Sequence, residues 1–259
     1  MQLRILGPVG VADQTNVTEI GQPRHRALLG YLLLHRNAAV ATERLIRALW
    51  GGSEPRSART QIHIMISVLR RVLADSGMDG VVSSVPGGYR VGVRQDAVDI
   101  GIFDDHLASG RAAVQRGDWA EGTRRARAGL AVWEGEPFAG VKAAFVTAAR
   151  HRLRQRWLDA YQLLAECELQ QGNDESLISE VGWLVEEYPT RERLVRQLML
   201  AQYRADRRTD ALATARWWRD VQTQQQGLDP GCQFVELEMS ILRGDRGPLR
   251  HLSEALGPA

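Results

Sequence analysis

Residues 57–75, SARTQIHIMISVLRRVLAD, decide the fold that the sequence predicts. At about 100° per residue, the apolar side chains of this stretch fall on one side of a helix and the polar and basic ones on the other. The apolar side predicts a core stripe of Ala58, Ile62, Met65, Ile66, Leu69, Val72 and Leu73. The outer side carries Thr60, His63, Ile64, Ser67 and Arg71, flanked by Arg59 and Arg70 on one edge and by Val68 on the other.

The outer side of this helix allows two interpretations. A short basic helix face is most often only solvated surface. Its side chains are also those that read DNA from a helix in the major groove, because arginine bonds guanine or phosphate, hydroxyls bond either, and an aliphatic group contacts a thymine methyl. The helix alone does not show whether this face is solvated surface or a DNA-binding surface. The elements around it decide between the two.

The neighbouring elements predict a winged helix. The first 22 residues alternate apolar side chains with turn formers, which is typical of short antiparallel strands. Residues 24–36 and 42–50 predict two helices, the second with Thr42 as its N-cap and a glycine stop. Residues 81–93 have two β-rich arms around a Pro-Gly-Gly turn, which predicts a hairpin that follows the third helix as a wing. Together these elements favour a helix-turn-helix that binds DNA.

From residue 103 onwards the sequence predicts almost only helices. Two junctions, QQGND at 170–174 and RADRR at 204–208, lie 34 residues apart, which is the period of tetratricopeptide repeats. A third junction, QRGDW at 115–119, looks the same but lies 55 residues before Gly172 and is out of period. The helix between these two junctions, at about residues 142–171, is therefore predicted to be overlong. The predicted fold class is therefore mainly α. An α+β winged-helix DNA-binding domain spans residues 1–95, and an all-α, tetratricopeptide-like domain spans residues 96–259.

The distribution of charge supports this division. The chain has 33 Lys and Arg against 31 Asp and Glu, a net charge of +2. Residues 1–100 carry +4 and residues 101–259 carry −2. The excess positive charge therefore lies in the part that is predicted to meet a polyanion.

The sequence does not contain the motifs that are typical of several classes of enzyme and metal site. The only lysine, Lys142, stands in a Gly-Val-Lys-Ala context without the glycines and the hydroxyl residue of a P-loop. No HExxH, GxSxG or paired Cys/His spacing occurs, and Cys167 and Cys232 are too few for a disulfide framework. No apolar run reaches ~18 residues, and the N-terminus is unlike a signal peptide. We therefore expect a cytoplasmic protein that is not an enzyme, with no cofactor, metal or membrane segment.

Several motifs resemble one family in order and spacing. LRILGPVGV, RHRALLGYLLLHRN, TERLIRALWGG, SARTQIHIMISVLRRVL and VPGGYRVGV resemble the N-terminal part of the Streptomyces antibiotic regulatory protein family. LAVWEGEPF, YPTRERLVRQLMLAQYRADRRTDAL and GLDPG resemble the bacterial transcriptional activator domain that follows in that family. The resemblance covers about residues 2–245.

This resemblance implies a winged helix of the response-regulator type in a transcriptional activator. Such an activator binds double-stranded promoter DNA at tandem direct repeats, with two protomers head to tail. It holds RNA polymerase holoenzyme at the promoter, often that of a secondary-metabolite (antibiotic) cluster. The resemblance also implies a nucleoid-associated protein without a cofactor or a receiver domain.

Position by position, the resemblance assigns DNA contacts to the third helix and to the wing at 85–93. The candidates on the helix are Arg59, Thr60, His63, Ile64, Ser67, Arg70 and Arg71, with Arg59 and Arg70 expected on phosphates. On the wing they are Gly88, Tyr89 and Arg90, the last near the tip. The loop before the helix, with Gly51, Gly52, Ser53, Glu54 and Arg56, matches the segment that touches polymerase. Val68 and Thr60 replace a basic residue and an Asn that are common in the family, which weakens the transfer of any base-recognition rule.

A second hypothesis concerns the helical half. It could be a protein-interaction scaffold or a ligand sensor, and then the helical repeats would be the main binding surface. Trp183, Trp217 and Trp218 could line a groove for such a ligand. Aromatic side chains at helical spacing are more often core, so these tryptophans are expected in the core.

Overall fold

The computed structural model describes residues 1–12 and 17–245, which form two compact units. The first unit consists of residues 1–107 and 128–157, and the second of residues 108–127 and 158 onwards. The first unit thus takes in segments from beyond residue 95, where the sequence predicts a domain boundary. The division into domains at that residue stays a prediction.

The first unit has the predicted order of strands and helices. It opens with an antiparallel sheet in the order β1-β2-β3, made of β1 (Gln2–Arg4), β2 (Gly10–Ala12) and β3 (Val17–Glu19). Then come α1 (Pro23–Leu34), β4 (Val40–Ala41), α2 (Thr42–Trp50), α3 (Ala58–Asp75), β5 (Val82–Val85) and β6 (Gly88–Val91). The last three strands form a second sheet in the order β4-β6-β5. Three helices followed by a hairpin confirm the predicted winged helix.

The apolar stripe of α3 packs against α1 and α2. All its predicted members are buried except Val72, which is half-buried. Burying one such aliphatic side chain contributes roughly 1.5–3 kcal/mol, so the stripe fixes which face of α3 points outward. The helix ends in a Schellman motif, in which Gly77 has φ +72° and the Met78 N–H donates to the Leu73 carbonyl at 2.8 Å.

The start of α2 differs from the prediction. Thr42 is the first residue of the helix, and its N-cap is Ala41. The backbone N–H of Thr42 (3.0 Å) and its hydroxyl (3.3 Å) both donate to the carbonyl of Gly87, in the turn between β5 and β6. The hydroxyl therefore joins α2 to the hairpin instead of capping the helix.

A buried carboxylate ties the N-terminal segment to the start of α4 (Asp99–Gln115). Asp99 has no exposed surface, and its carboxylate accepts the backbone N–H groups of Ile5 and Leu6, each at 2.7 Å, and of Ile100 at 2.6 Å. Burial raises the pKa of Asp99 to about 6, although these hydrogen bonds and the charge of Arg4 act in the opposite direction.

Residues 134–139 also pair with the N-terminal segment. The N–H groups of Glu134 and Phe138 donate to the carbonyls of Leu6 (2.9 Å) and Ile5 (3.0 Å), and Phe138 is fully buried. Arg4 adds an ion pair with Glu134 at 2.5 Å. These contacts explain why this later stretch belongs to the first unit.

The remaining described elements are helices. They are α5 (Trp119–Leu130), α6 (Val146–Gln171), α7 (Asp174–Glu187), α8 (Glu192–Arg204), α9 (Arg208–Gln226) and α10 (Cys232–Arg243). In the second unit α8 packs on α7 and α9, and α10 packs on α8 and α9. The core there includes Leu177, Leu184, Leu194, Leu198, Ala215, Trp218 and Phe234.

The three junctions that the sequence singles out share one geometry. Their third residues, Gly117, Gly172 and Asp206, all have left-handed φ, at +74°, +73° and +58°. In each, the next N–H donates to the carbonyl five residues earlier, at 2.8–3.0 Å, which is the long bond of a Schellman motif. The helix α6, which ends at the second junction, is 26 residues long and lies within the range of about 142–171 predicted for an overlong helix. The assignment to tetratricopeptide-type repeats stays a prediction.

The tryptophans divide between core and surface. Trp218 is 2% exposed and stacks on Phe234, with ring centroids 4.4 Å apart, as expected of a core residue. Trp217 is half-buried, and Trp183 is 51% exposed, so the expectation of a core position is wrong for Trp183. None of the described helices is long and apolar enough to cross a membrane.

Candidate nucleic-acid interface

The outer face of α3 is exposed along its length. The candidate DNA contacts of this helix all lie at the surface, as the helical period predicts: Arg59, Thr60, His63, Ile64, Ser67, Arg70 and Arg71. Ile64 is 57% exposed, which is unusual for an aliphatic side chain on a polar face. Because Ile64 contributes little to the core, it is free to contact an apolar group such as a thymine methyl.

Two positive charges at this surface have no partner in the part of the chain that the structure describes. Neither the guanidinium of Arg71 on α3 nor that of Arg90 on β6 makes a hydrogen bond or an ion pair within the described residues. Thr60 likewise has a free hydroxyl among the described residues. These groups can donate all their hydrogen bonds to an external acceptor.

The other two arginines of the face have internal partners. Arg59 pairs with Glu43 on α2. Arg70 donates from Nε to the Val82 carbonyl at 3.0 Å and from Nη2 to the Ser84 hydroxyl at 2.9 Å. Arg70 therefore links α3 to β5, and a phosphate would meet only its remaining N–H groups. Contact of Arg59 and Arg70 with phosphates stays a prediction.

The hairpin presents different residues from those that the sequence suggests. Gly88 and Tyr89 are buried, because β6 pairs with β4 on one side and β5 on the other. A Cβ on Gly88 would lie 2.0 Å from the Val40 carbonyl oxygen, so this position requires glycine for packing. The hairpin is exposed instead at Pro86 and Gly87 of the turn and at Arg90, which lies in the middle of β6 rather than at the tip.

Two hydrogen bonds organise the middle of the α3 face. The Tyr89 hydroxyl lies 2.5 Å from His63 Nδ1, with the two rings edge to face at 6.0 Å. The Ser67 hydroxyl donates to the His63 carbonyl at 3.0 Å, which leaves Ser67 only its lone pairs for a ligand. The Tyr89–His63 pair was not predictable, because the residues lie 26 positions apart in the chain.

The candidate polymerase loop joins α2 to α3. Gly51, Gly52, Ser53, Glu54 and Arg56 are all exposed. Gly51 and Gly52 have φ +64° and +93°, which lets the chain turn sharply after α2. The loop borders a groove lined by the apolar side chains of Ile46, Pro55 and Ala58 and by charged ones such as Glu54 and Arg56, so a protein partner could contact both kinds of group.

Two families of known proteins are similar to this chain. A family model described as the bacterial transcriptional activator domain matches residues 98–242, and one described as the C-terminal part of transcriptional regulatory proteins matches residues 19–91. The chain belongs to the Streptomyces antibiotic regulatory protein family. That family consists of transcriptional regulators rather than enzymes.

Individual members of the family are similar along nearly the whole chain. The regulatory protein AfsR of Streptomyces griseus is 32% identical over 98% of this chain and 26% of its own length. The transcriptional regulatory protein MoaR1 of Mycobacterium tuberculosis is 32% identical over 94% of this chain and 79% of its own. This chain thus spans about a quarter of AfsR and most of MoaR1.

A solved structure has the same fold. Mycobacterium tuberculosis EmbR, solved in complex with a low-affinity phosphopeptide, superposes with a TM-score of 0.92 at 30% identity. The match covers 98% of this chain and 68% of that one. The winged helix and the helical activator domain are therefore the shared architecture.

The second unit contains a cavity of about 470 Å³ lined by residues of α4, α6 and α8. In its wall the carboxylate of Glu166, 5% exposed, accepts a hydrogen bond from Arg193 at 2.8 Å. Burial raises the pKa of Glu166, and Arg193 opposes that rise. None of the tryptophans named in the ligand hypothesis lines this cavity. Among the described residues, no three acidic, histidine or cysteine side chains lie close enough to hold a metal ion.

Proposed function

We propose that this chain is a sequence-specific DNA-binding transcriptional activator. The observation that carries this proposal is the exposed outer face of α3, where Arg71 and Thr60 have no hydrogen-bond or ion-pair partner among the described residues and Ile64 is 57% exposed. A helix of this kind lies in the major groove, with its free donors on base edges or phosphates. Arg90 on the adjoining hairpin reaches the neighbouring backbone or minor groove.

The finer parts of the proposal come from the family. Two protomers bind head to tail at tandem direct repeats, so the repeats recur at about one helical turn, ~10–11 bp, or at multiples of it. The loop from Gly51 to Arg56 contacts RNA polymerase holoenzyme. The target is the promoter of a secondary-metabolite cluster, and no cofactor takes part.

Arg71→Ala tests the assigned face. The probe is a duplex that the wild-type chain selects from a random-sequence pool, and binding is followed by fluorescence anisotropy. We expect binding roughly 10- to 100-fold weaker than wild type, because an exposed arginine loses its bonds to guanine or phosphate. If Arg71 contacts a phosphate, its loss should also make the slope of log affinity against log salt concentration shallower by about 1. If it contacts a base, its loss should instead relax the sequence preference at one base pair.

Arg216→Ala is the matched control. Arg216 is an exposed arginine on α9 with no partner among the described residues, and its removal should leave affinity unchanged. Both variants should keep the wild-type circular dichroism and melting temperature. If the pool yields no enriched sequence, or if Arg71→Ala binds as wild type, DNA reading by this face is refuted. A protein-interaction scaffold would give the first of these results.

A double variant, Glu54→Ala with Arg56→Ala, tests the polymerase loop. Both side chains are exposed and lie outside the α3 face, so affinity for the selected duplex should stay within about twofold of wild type. Transcription from a template that carries the duplex, with holoenzyme purified from the host, should fall to the basal level. Full activation by the double variant would exclude the loop as the polymerase contact.

A further inference from the structure

We propose that Tyr89 takes part in DNA recognition without touching DNA, by holding His63 so that its Nε2–H points outward as a hydrogen-bond donor. This inference rests on the proposed DNA binding by α3. It replaces the contact that the sequence suggests for Tyr89 with a positioning role.

Tyr89 is placed rigidly for this task. It is 6% exposed, and its backbone pairs with Val40 of β4 on one side and Ser84 of β5 on the other. Its ring packs edge to face against the imidazole, and its hydroxyl meets His63 Nδ1 at 2.5 Å. The sheet thus holds the Tyr89 hydroxyl in position, and the hydroxyl sets the orientation of the exposed His63 ring.

His63 lies at the centre of the candidate DNA surface. It follows Thr60 by three residues and precedes Ser67 by four, so the three side chains share one helix face. With Nδ1 turned toward Tyr89, the remaining ring nitrogen, Nε2, is the atom left for a ligand.

The hydrogen bond determines what Nε2 can do. A neutral imidazole has one donor and one acceptor nitrogen, so Nδ1 can either accept from the Tyr89 hydroxyl or donate to it. We take the hydroxyl as the donor, because Nδ1 is its only partner among the described residues and the buried O–H would otherwise have no acceptor. The proton of the neutral ring is then on Nε2. In a protonated ring Nδ1–H donates to the hydroxyl oxygen, and Nε2 again carries a proton. In both states His63 offers a donor, which fits guanine O6 and N7, adenine N7, thymine O4 or a phosphate oxygen. It does not fit the amino groups of adenine and cytosine.

The first test needs no DNA. Long-range ¹H–¹⁵N correlation spectra of the full chain should show the neutral His63 ring as the Nε2–H tautomer. Tyr89→Phe keeps the aromatic ring and removes the hydroxyl, so its spectrum should show a mixture of tautomers. A wild-type ring with its proton on Nδ1, or a tautomer unchanged by Tyr89→Phe, would overturn the proposal even if DNA binding is confirmed.

The second test is a double-mutant cycle on the selected duplex. His63→Ala should weaken binding about tenfold, and Tyr89→Phe by a few-fold. In the His63→Ala background, Tyr89→Phe should have no further effect, because the hydroxyl acts only through the ring. An equal loss in both backgrounds, or no loss in His63→Ala, would refute the positioning role.

Tyr31→Phe is the matched control for loss of a buried hydroxyl. Tyr31 is 8% exposed, and its hydroxyl accepts from Arg44 Nε at 3.0 Å without contact to His63. Tyr31→Phe should bind DNA as wild type.

A panel of duplexes with single base-pair changes then shows whether Nε2 bonds a base or a phosphate. His63→Ala should lose discrimination at one position if Nε2 bonds a base and at none if it bonds a phosphate. If the chain selects no duplex, the proposed function fails, and the tautomer experiment still decides the role of Tyr89.

Discussion

Asp99→Ala should lower the free energy of unfolding of the first compact unit by about 3–5 kcal/mol. The Asp99 carboxylate accepts three backbone N–H groups, those of Ile5, Leu6 and Ile100, in a fully buried place. With alanine at this position the three N–H groups lose their acceptor, and because the site is buried, water does not replace it. Urea unfolding followed by far-ultraviolet circular dichroism measures the loss.

Asp96→Ala is the control for this prediction. Asp96 lies three residues earlier, is exposed, and among the described residues bonds the exposed Arg94 and its own backbone. Its replacement should leave the unfolding curve unchanged. A similar small effect for both variants would show that the buried carboxylate does not hold the N-terminal segment in place.

The stability contributed by Asp99 should also depend on pH. Burial raises its pKa in the folded protein to about 6, from an ordinary value of 3.8. Between these values the folded chain holds more protons than the unfolded chain, so stability rises as the pH falls. Relative to Asp99→Asn, which does not titrate, the wild type should gain on the order of 1 kcal/mol between pH 7 and pH 5. A constant or reversed difference would contradict the raised pKa.

Arg127→Ala should lower the free energy of unfolding of the second unit by about 2–4 kcal/mol. Arg127 donates to the carboxylate of Glu168 at 2.7 Å and also pairs with Glu180. Glu168 is 2% exposed, so removal of the arginine leaves a buried negative charge whose one remaining partner among the described residues is the Asn173 amide, at 2.6 Å. Chemical denaturation with tryptophan fluorescence measures the change.

A double-mutant cycle gives this prediction its control. Glu168→Gln removes the charge and keeps a carbonyl oxygen for Asn173, so Arg127→Ala should cost much less in that background. Arg124→Ala removes an arginine of the same helix that is 72% exposed and pairs with Glu121, and should have little effect. Equal losses with and without the Glu168 charge would show that Arg127 contributes packing rather than charge compensation.

The parts of the molecule that follow from local rules were predictable. The alternation of apolar and polar residues in α3 places its outer face correctly, because the helical period alone determines which side chains share a side. The left-handed third residue of the helix junctions follows from the Gly of two of them and recurs at Asp206 in the third. The family follows from the order of these motifs.

The parts that depend on distant pairing were not predictable. Thr42 has the residue type of an N-cap, but the carbonyl of Gly87 competes for its hydroxyl. The bonds of Arg70 to β5 join residues 12 and 14 positions apart, so its position on the outer face of α3 could not reveal them. Trp183 is a large aromatic residue of the kind usually found in a core, and only the packing of α7 shows that it lies at the surface.

The amino-acid sequence by itself determined the order of the elements, the face of α3 that points outward and the excess of positive charge in the N-terminal part. These depend on residues a few positions apart, whose geometry the backbone period sets. Only the tertiary structure decided which arginines of that face lack a partner among the described residues and that Tyr89 meets His63 from within the sheet. Those depend on atoms that lie far apart in the chain and meet at hydrogen-bond distance only after the sheet, the helices and the hairpin have packed together.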